Sequence, residues 1–329
     1  MTDALSFALD AFLFSGGFIY LTAGTIAVLL FGVIPGLGGP TALALLIPLT
    51  FGIDTTAAMF LAGGIMGAIP FGGSVSAILL NTPGTAPNAA TVYDGYPLTK
   101  QGKAGLALGA AAAASSIGGV IGVIILLAVL PIARDAILLF APAEFFMLAV
   151  MGLCAIAVST EGKFLRGLIA AGVGLMIAFV GYDNVSGVVR FTYGVGYLYD
   201  GVPLVPALIG LFAIAQIVSL YVDGGSITDN PSAVRVTRVM DGVKAVFQNI
   251  PTLLRGSAIG AIVGAVPGVG GTVAAFLSYS VTVQVSKEPE TFGKGNIQGV
   301  IAPEASNNAR EGGSLIPTLA FGIPGSAEM

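Results

Sequence analysis

Histidine is absent from this chain of 329 residues, and cysteine occurs only once. The absence of histidine excludes histidine-based proton relays, histidine metal centres and serine–histidine catalytic pairs. The single cysteine, Cys154, lies in an apolar run and excludes an intramolecular disulfide or a multi-cysteine metal site. The chain also carries no HExxH motif and no aspartate-rich metal motif. We therefore expect no enzymatic activity and no resident cofactor.

Charged residues are equally scarce, at 9% of the chain, whereas soluble domains carry roughly 25%. Four stretches have no charged side chain at all, and they cover residues 11–53, 55–93, 104–133 and 256–286. Because about 20 apolar residues cross a bilayer, several stretches must hold more than one crossing or a crossing plus a partial one. The composition predicts an all-α polytopic membrane protein. The formal net charge of −4 gives no sign of nucleic-acid binding.

Glycine and proline interrupt two of these stretches in the same way. The sequence GVIPGLGGPTALALLIPLT at 32–50 aligns without gaps with GAVPGVGGTVAAFLSYSVT at 264–282, and both copies contain PG-x-GG. A second block follows each copy, since FGGSVSAILLNTPGTAP at 71–87 matches EGGSLIPTLAFGIPGSAEM at 311–329 in its GGS and PG-[ST]-A elements. Two motifs that recur in the same order predict two homologous repeats with broken or re-entrant helices.

The boundary between the repeats is expected in a long polar connection. We predict a first membrane repeat at 1–222, a cytoplasmic loop or amphipathic helix at 223–252, and the start of a second repeat at 253–329. The first half continues far beyond its PG-[ST]-A element, whereas the second copy of that element lies at the end of the chain. The second repeat is therefore expected to be truncated.

The breaks divide the apolar stretches into short helices. Asp54 is a candidate N-cap, and the candidate helices around the motifs are 41–52, 55–70, 74–82, 272–285, 297–309 and 314–322. Residues 41–52 would span ~18 Å of a ~30 Å hydrocarbon core, so the PGLGG turn should lie at depth. A helix N-terminus there presents free N–H groups and partial positive charge, which suit an anion. Carbonyls freed near the second motif suit a cation.

Such breaks allow two interpretations. Interruptions at corresponding places in two halves are typical of the midplane site of a secondary transporter. Glycine and serine in membrane helices also serve simply to let helices pack closely, and this is the alternative for each single glycine.

The segment APEASNNAREGGS at 302–314 places charged and amide side chains between two apolar stretches. Arg310 could hold a substrate carboxylate by a bidentate contact, and Glu304 could serve cation or proton coupling. In the structural alternatives, Glu304 or Glu311 neutralises Arg310, or the segment is an ordinary exposed loop.

Other functions fit the sequence less well. A nucleotide-binding interpretation of GVGGT at 268–272 is weak, because a P-loop needs a lysine and none lies between Lys244 and Lys287. The closest alternative is the permease subunit of an ATP-driven importer, for which 231–250 is the candidate coupling helix. Uptake driven by an ion gradient without ATP would distinguish the two.

Four long blocks make the chain similar to one known family: GVIPGLGGPTALALLIPLTFG, GGSVSAILLNTPGTAPNAATVYDGYPLTKQGKAG, GAVPGVGG and EASNNAREGGSLIPTLAFGIPGSAEM. The chain resembles the large membrane subunit of the tripartite tricarboxylate transporter family (TctA-like permeases). The resemblance implies a multi-pass secondary transporter of the bacterial inner membrane that imports tricarboxylates or related carboxylates by symport with Na⁺ or H⁺. It also implies two partners, a small four-helix membrane subunit and a periplasmic substrate-binding protein. Family members are longer, so the resemblance implies a C-terminally incomplete chain.

The residues that match the family blocks are the expected substrate- and ion-binding positions. Two opposed groups would present half-helix N–H donors: Gly38, Gly39 and Thr41 with Gly270, Gly271 and Thr272. The other candidates would contact the substrate or the coupling ion, and they are Ser74, Asn81, Thr82, Thr85, Asn307, Asn308, Arg310, Ser314 and Ser326. No catalytic or metal-binding residue is predicted.

Overall fold

The computed structural model is mainly α-helical in the residues that it describes. These are 2–32, 39–137, 164–183, 186–203, 209–215, 236–267 and 269–326, together with isolated positions between 141 and 150 and between 206 and 222, and Met329. Eleven α-helices lie in this part of the chain: α1 (Thr2–Leu13), α2 (Gly17–Gly32), α3 (Gly39–Leu46), α4 (Thr55–Leu80), α5 (Ala89–Lys100), α6 (Ala104–Ile137), α7 (Phe164–Ala178), α8 (Val239–Gln248), α9 (Ile250–Gly264), α10 (Gly270–Val285) and α11 (Gln298–Phe321). Two short strands, β1 (Gly181–Tyr182) and β2 (Val189–Arg190), form an antiparallel hairpin. Gly38 and Cys154 lie outside the described residues.

Both ends of α4 follow from side-chain chemistry. Asp54 precedes the helix in extended backbone, and its Oδ1 accepts a hydrogen bond from the Ala57 N–H at 3.0 Å, which confirms the predicted N-cap. Asn81 follows the last residue in the left-handed region, with φ 59°, a conformation that asparagine tolerates better than most residues. Gly322 ends α11 in the same way, with φ 67°.

Both GGS motifs lie inside continuous helices, so the breaks predicted between 70 and 74 and between 309 and 314 are wrong. Helix α4 runs through the first motif and α11 through the second without interruption. The glycines instead allow backbones to touch: a Cβ on Gly72 would lie 3.1 Å from the Cα of Gly32 in α2. This is the packing interpretation of small residues in membrane helices.

Two of the described helices are long and apolar enough to cross a membrane, α4 and residues Ala104–Ile132 of α6. The pair formed by α1 and α2 would add a third span if its 72° bend is one broken crossing. Apolar side chains such as Val120, Val123 and Ile124 on α6 are exposed, as expected for a surface that faces lipid. The protein is a helical membrane protein.

Helix α9 packs along α11 in the same direction. A Cβ on Gly256 would lie 2.6 Å from the Ala302 carbonyl oxygen, and a Cβ on Gly264 would lie 2.4 Å from the Arg310 carbonyl oxygen. Because α9 ends at Gly264, it ends level with Arg310, near the middle of α11. Helix α11 continues from there to Phe321, about 16 Å further at 1.5 Å per residue.

Helix α10 returns from this level in the opposite direction. Ser306 Oγ donates to the Ala274 carbonyl at 3.0 Å, and Ser278 Oγ donates to the Ala302 carbonyl at 2.9 Å. The turn between α9 and α10, which contains PG-x-GG, therefore lies beside the middle of α11 and not beyond its end.

Helices α2 and α4 are arranged like α9 and α11. They run parallel, with a Cβ on Gly24 2.3 Å from the Leu61 carbonyl oxygen and Gly32 against Gly72. Since α2 ends at Gly32, it ends level with Gly72, and α4 continues to Leu80, about 12 Å further.

The two groups of helices meet through α4 and α11, which run antiparallel. Asn308 Nδ2 donates to the Gly67 carbonyl at 2.9 Å, and Ser74 Oγ donates to Glu304 Oε1 at 2.6 Å. Helix α6 packs on α11 in parallel, and its Gly118 lies against Ala305.

A short amphipathic helix, α8, lies in the segment predicted to connect the repeats. It packs on α6, where a Cβ on Gly242 would lie 2.1 Å from the Leu106 carbonyl oxygen, while Met240 and Phe247 are exposed. The part of the connection at 223–235 lies outside the described residues.

Candidate functional site

Helix α10 begins inside the protein. Gly270 has φ 77°, in the left-handed region that glycine enters without steric cost, and the helix then runs for four turns. The first N–H groups of an α-helix have no intrahelical partner and carry its partial positive charge. Here they lie beside the middle of α11, at a buried Gly271 between the half-buried Gly270 and Thr272.

The segment 82–88 turns back into the protein after α4 ends at Leu80. The Gly84 N–H donates to the Gly73 carbonyl at 3.1 Å, so the chain has returned by about 10 Å along α4. Helix α5 then leads out again, and near its end Thr99 Oγ1 donates to the Ile78 carbonyl at 2.8 Å. The segment is therefore re-entrant, and α5 also begins at depth.

Asn88 anchors the inner end of this segment. Its side chain is fully buried, and Nδ2 donates to the Pro70 carbonyl at 2.8 Å and to Ser74 Oγ at 2.7 Å. Its Oδ1 accepts a hydrogen bond from the Thr85 N–H at 3.2 Å and another from the Thr85 hydroxyl. One amide thus ties the turn before α5 to α4.

The start of α10 and the re-entrant segment meet at Gly271. A Cβ there would lie 2.9 Å from Pro87 Cγ, 3.0 Å from Asn307 Oδ1 and 3.1 Å from Arg310 Nε. Asn307 is 2% exposed, and its Oδ1 has no hydrogen-bond partner within the described part of the chain. Arg310 is also buried, and its Nη2 donates to Glu311 Oε1 at 2.5 Å. The N–H groups of a helix start, an amide and a guanidinium thus converge, and the first and the last of these are groups that bind small anions.

The position of 302–314 decides between the structural alternatives for this segment. It is part of α11 and is buried almost throughout, so the exposed-loop interpretation is wrong. Glu311 neutralises Arg310 in an ion pair that is itself largely buried. Glu304 takes no part in that pair, and it lies six residues earlier, about 9 Å along the helix.

Glu304 forms a separate polar cluster next to the groups around Gly271. The residue is fully buried. Oε1 accepts hydrogen bonds from Ser74 Oγ at 2.6 Å and Thr91 Oγ1 at 2.5 Å, and Oε2 accepts one from Ser115 Oγ at 2.9 Å. Four helices, α4, α5, α6 and α11, contribute to this cluster.

Several predicted site residues are brought together by these contacts. Gly270, Gly271 and Thr272 form the first turn of α10, and Asn307 and Arg310 face it. Through Asn88, Ser74 of α4 is connected to Thr85 of the re-entrant segment.

Other predicted residues lie elsewhere. Asn81 caps the exposed end of α4, and Thr82 Oγ1 donates to the Leu80 carbonyl at 3.2 Å beside it. Thr41 is buried in α3, which begins at Gly39 and packs against α2, α4 and the short helical segment Ile209–Ile214.

The three remaining candidates lie on or after α11. Ser314 Oγ donates to the Gly264 carbonyl at 3.2 Å, and Asn308 Nδ2 bonds the Gly67 carbonyl, so both hold neighbouring helices. Ser326 lies in the segment that follows α11, and its buried Oγ has no hydrogen-bond partner within the described residues.

Three residues in or next to the polar cluster were not predicted: Asn88, Thr91 and Ser115. Asn88 and Thr91 lie in one of the family blocks but outside its GGS and PG-[ST]-A elements, and Ser115 lies in a small-residue sequence. The available signal was Glu304, because an isolated carboxylate in a membrane-embedded helix needs partners, but nothing local identifies them.

The sequence model described as the tripartite tricarboxylate transporter TctA family matches residues 18–329. The chain belongs to this TctA family. An uncharacterised 52.8 kDa protein in the TAR-I ttuC′ 3′ region of Agrobacterium vitis is 36% identical over 323 residues, or 97% of this chain and 63% of that protein. Another uncharacterised protein, in the TAR-II ttuC′ 3′ region of the same organism, is 49% identical over 65 residues, or 20% of this chain and 27% of that protein. No solved structure matches the chain.

This TctA-family chain therefore spans under two thirds of the length of the larger relative. The match runs through all the residues of the candidate site, from the re-entrant segment to the middle of α11. The region in which helices converge thus lies wholly within the part of the chain that the family shares.

Proposed function

We propose that this chain belongs to the large membrane subunit of a tripartite, ion-gradient-driven secondary transporter that imports tricarboxylates or related carboxylates. Membership of the TctA family supports the transporter class. It gives no support to the alternative, the permease subunit of an ATP-driven importer. The host membrane would be the bacterial inner membrane.

The substrate carboxylate would bind at the first turn of α10. The observation that carries this proposal is the convergence of that turn with Asn307 and Arg310 beside the middle of α11. Unpaired N–H groups at a helix start attract an anion, and broken helices at mid-depth are typical of transporter sites. A carboxylate that competes with Glu311 for Arg310 would complete the site.

We further propose that 1–222 and 253–329 belong to two homologous repeats of opposite orientation, joined by 223–252. Three observations support this. Helices α2 and α9 end at aligned residues, Gly32 and Gly264. Both α4 and α11 end in a left-handed residue, and these two helices run antiparallel, as an inverted repeat requires.

The transporter would work with two partners, a small four-helix membrane subunit and a periplasmic substrate-binding protein. Coupling would be to Na⁺ or H⁺. Substrate choice would rest largely with the binding protein, since the site on this chain recognises negative charge through a helix start and one arginine.

Reconstitution tests the transporter class. We expect proteoliposomes that contain the transporter and its partner subunits to accumulate labelled citrate or succinate when an inward Na⁺ or H⁺ gradient is imposed without ATP. Accumulation that requires internal or external ATP and ignores both gradients would contradict the proposal.

Substitution of Gly271 tests the site. Gly271→Ala places a methyl group within about 3 Å of Pro87, Asn307 and Arg310, so we expect uptake to fall at least tenfold while membrane insertion is unchanged. Gly63→Ala is the matched control, because a Cβ on Gly63 in α4 meets no atom within 4 Å. Equal uptake by the two variants would exclude α10 as the binding element.

A further inference from the structure

Glu304 is a buried carboxylate that takes no part in the proposed anion site. Three hydroxyl groups contact it at 2.5–2.9 Å, from Ser74, Thr91 and Ser115, and each of them belongs to a different helix. Burying an ionisable group without an opposite charge costs free energy, and such groups in membrane proteins commonly mark ion pathways.

No described cation or second carboxylate faces Glu304. Helix α4 and the described side chains of α6 carry no charged residue, Asp94 of α5 bonds Tyr279 of α10 and the amides of the loop before α11, and Arg310 pairs with Glu311. Arg255 of α9 lines a surface pocket at the opposite end of that helix from the α9–α10 turn. Glu304 can therefore gain or lose a proton without breaking an ion pair.

We propose that Glu304 is the residue that binds the coupling proton, an inference that rests on the proposed secondary transport. The oxygen–oxygen distances of 2.5–2.9 Å are those of hydrogen bonds. Oxygens that share a metal cation at roughly 2.3–2.6 Å each stand more than about 3 Å apart, so the cluster as built fits a proton better than Na⁺.

Ser74 supplies the change of hydrogen bonding that protonation requires. When a proton binds to the Glu304 carboxylate, a new O–H bond forms and one of the three hydroxyl donors must turn away. Ser74 Oγ already lies 3.0 Å from the Pro70 carbonyl, which can accept the displaced O–H. Because Ser74 also accepts a hydrogen bond from Asn88, the rearrangement reaches the segment that carries Pro87 to the start of α10.

Electrostatics gives the direction of coupling. Neutralising Glu304 removes a negative charge about 9 Å along α11 from Arg310, where the substrate carboxylate would bind, and poorly screened charges interact strongly over that distance. Protonation of Glu304 thus raises the affinity for the substrate carboxylate, and binding of the substrate raises the affinity of Glu304 for the proton by the same factor.

Ser115 offers the proton a route. Besides contacting Glu304, it lines a cavity of about 410 Å³ between α2, α4, α6 and α11, together with Thr25, Ser116 and Asn308. A single hydroxyl therefore separates the carboxylate from this cavity, whose lining also includes the apolar side chains Leu21, Leu29 and Phe71.

The test compares Glu304→Gln with the wild type in proteoliposomes made from the transporter and its partner subunits. Glutamine imitates the protonated acid, so we expect exchange of labelled for unlabelled citrate to continue within about threefold. Acceleration of net uptake by an inside-alkaline pH gradient should disappear, a loss of at least tenfold. Glu288→Gln, at an exposed carboxylate in the loop after α10, should respond to the gradient like the wild type.

Two further variants keep the test decisive if Glu304→Gln does not fold. Thr91→Val and Ser115→Ala each remove one hydroxyl that stabilises the ionised carboxylate, so the pH profile of uptake should move to higher pH. A purely structural role would lower the amount of protein and leave the profile in place.

The failures of the two proposals are distinguishable. Uptake by Glu304→Gln that still responds to the pH gradient, or wild-type uptake driven by Na⁺ alone, would overturn the proton site but leave secondary transport standing. Absence of any gradient-driven uptake by the wild type would remove both.

Discussion

At the scale of single residues, Asn88 has the most consequential contacts of the described polar side chains. It connects Pro70, Ser74 and Thr85 and thereby fixes the re-entrant segment beside α10. Each buried polar group left without a partner costs about 1–3 kcal/mol.

Asn88→Ala should therefore lower both stability and uptake. It leaves the Thr85 N–H and the Pro70 carbonyl without this partner, so the midpoint of thermal unfolding in detergent should fall by several degrees. Thr22→Ala, which removes an exposed hydroxyl bonded only within α2, is the control and should melt like the wild type. An unchanged midpoint for Asn88→Ala would show that the segment is held by other contacts.

The sequence indicates the residue types of the site better than their partners. Gly271 and Arg310 were predicted from a repeated motif and from a rare intramembrane charge. The hydroxyls around Glu304 come from residues about 190 to 230 positions away along the chain, and an ordinary serine in an apolar helix carries no sign of such a partner. Only the fold brings them together.

At the scale of helices, proline alone does not decide which motif breaks a helix, since α4 continues through Pro70 and α11 through Pro303 and Pro317. Helices α2 and α9 end just before PG-x-GG, where proline lacks an N–H and disfavours helical backbone in the residue before it. The GGS motifs contain no proline, and their glycines remain helical because close packing compensates for their low propensity. The sequence alone does not show which glycines break a helix and which let two helices pack closely, because it does not show which helices are neighbours.

The α9–α11 contact depends on glycine in this way. A Cβ on Gly260 would lie 2.1 Å from the Ser306 carbonyl oxygen, so Gly260→Leu should force the helices apart and reduce the yield of monodisperse protein several-fold. Gly172→Leu in α7, where a Cβ meets no atom within 4 Å, should be tolerated. Similar yields for the two would mean that the helices can separate at little cost.

The start of α4 depends on one carboxylate. Asp54→Ala removes the acceptor for the Ala57 N–H, and loss of an N-cap costs about 0.5–2 kcal/mol. We expect faster amide hydrogen exchange in the first turn of α4, whereas Asp54→Asn should retain most of the protection. Unchanged exchange in Asp54→Ala would show that the cap is redundant.

At the scale of the whole molecule, the depth of the α9–α10 turn is the feature most open to direct measurement. In a Cys154→Ser background, Val266→Cys in this turn should react with a membrane-impermeant maleimide at least tenfold more slowly than Glu288→Cys in the exposed loop. Citrate should slow it further. Equal rates, without protection by citrate, would place the turn at the membrane surface.

Composition alone identified a helical membrane protein, and both α2 and α9 end shortly before a copy of the repeated PG-x-GG motif. The orientation of the two helix groups could not be predicted, because nothing local states which way a helix crosses the bilayer. It follows from the contacts Asn308–Gly67 and Ser74–Glu304, each of which joins residues from opposite parts of the chain.

The contact of Pro87 with Gly271 has a consequence for biogenesis. Pro87 leaves the ribosome long before Gly271 does, so the re-entrant segment must wait in the bilayer without its partner while the intervening helices are inserted. During this interval the hydroxyls of Ser74 and Thr91 lack Glu304 as their hydrogen-bond acceptor. Nascent chains halted before α10 should accordingly be substrates for membrane chaperones and quality-control proteases, and that vulnerability should end once α11 has been synthesised.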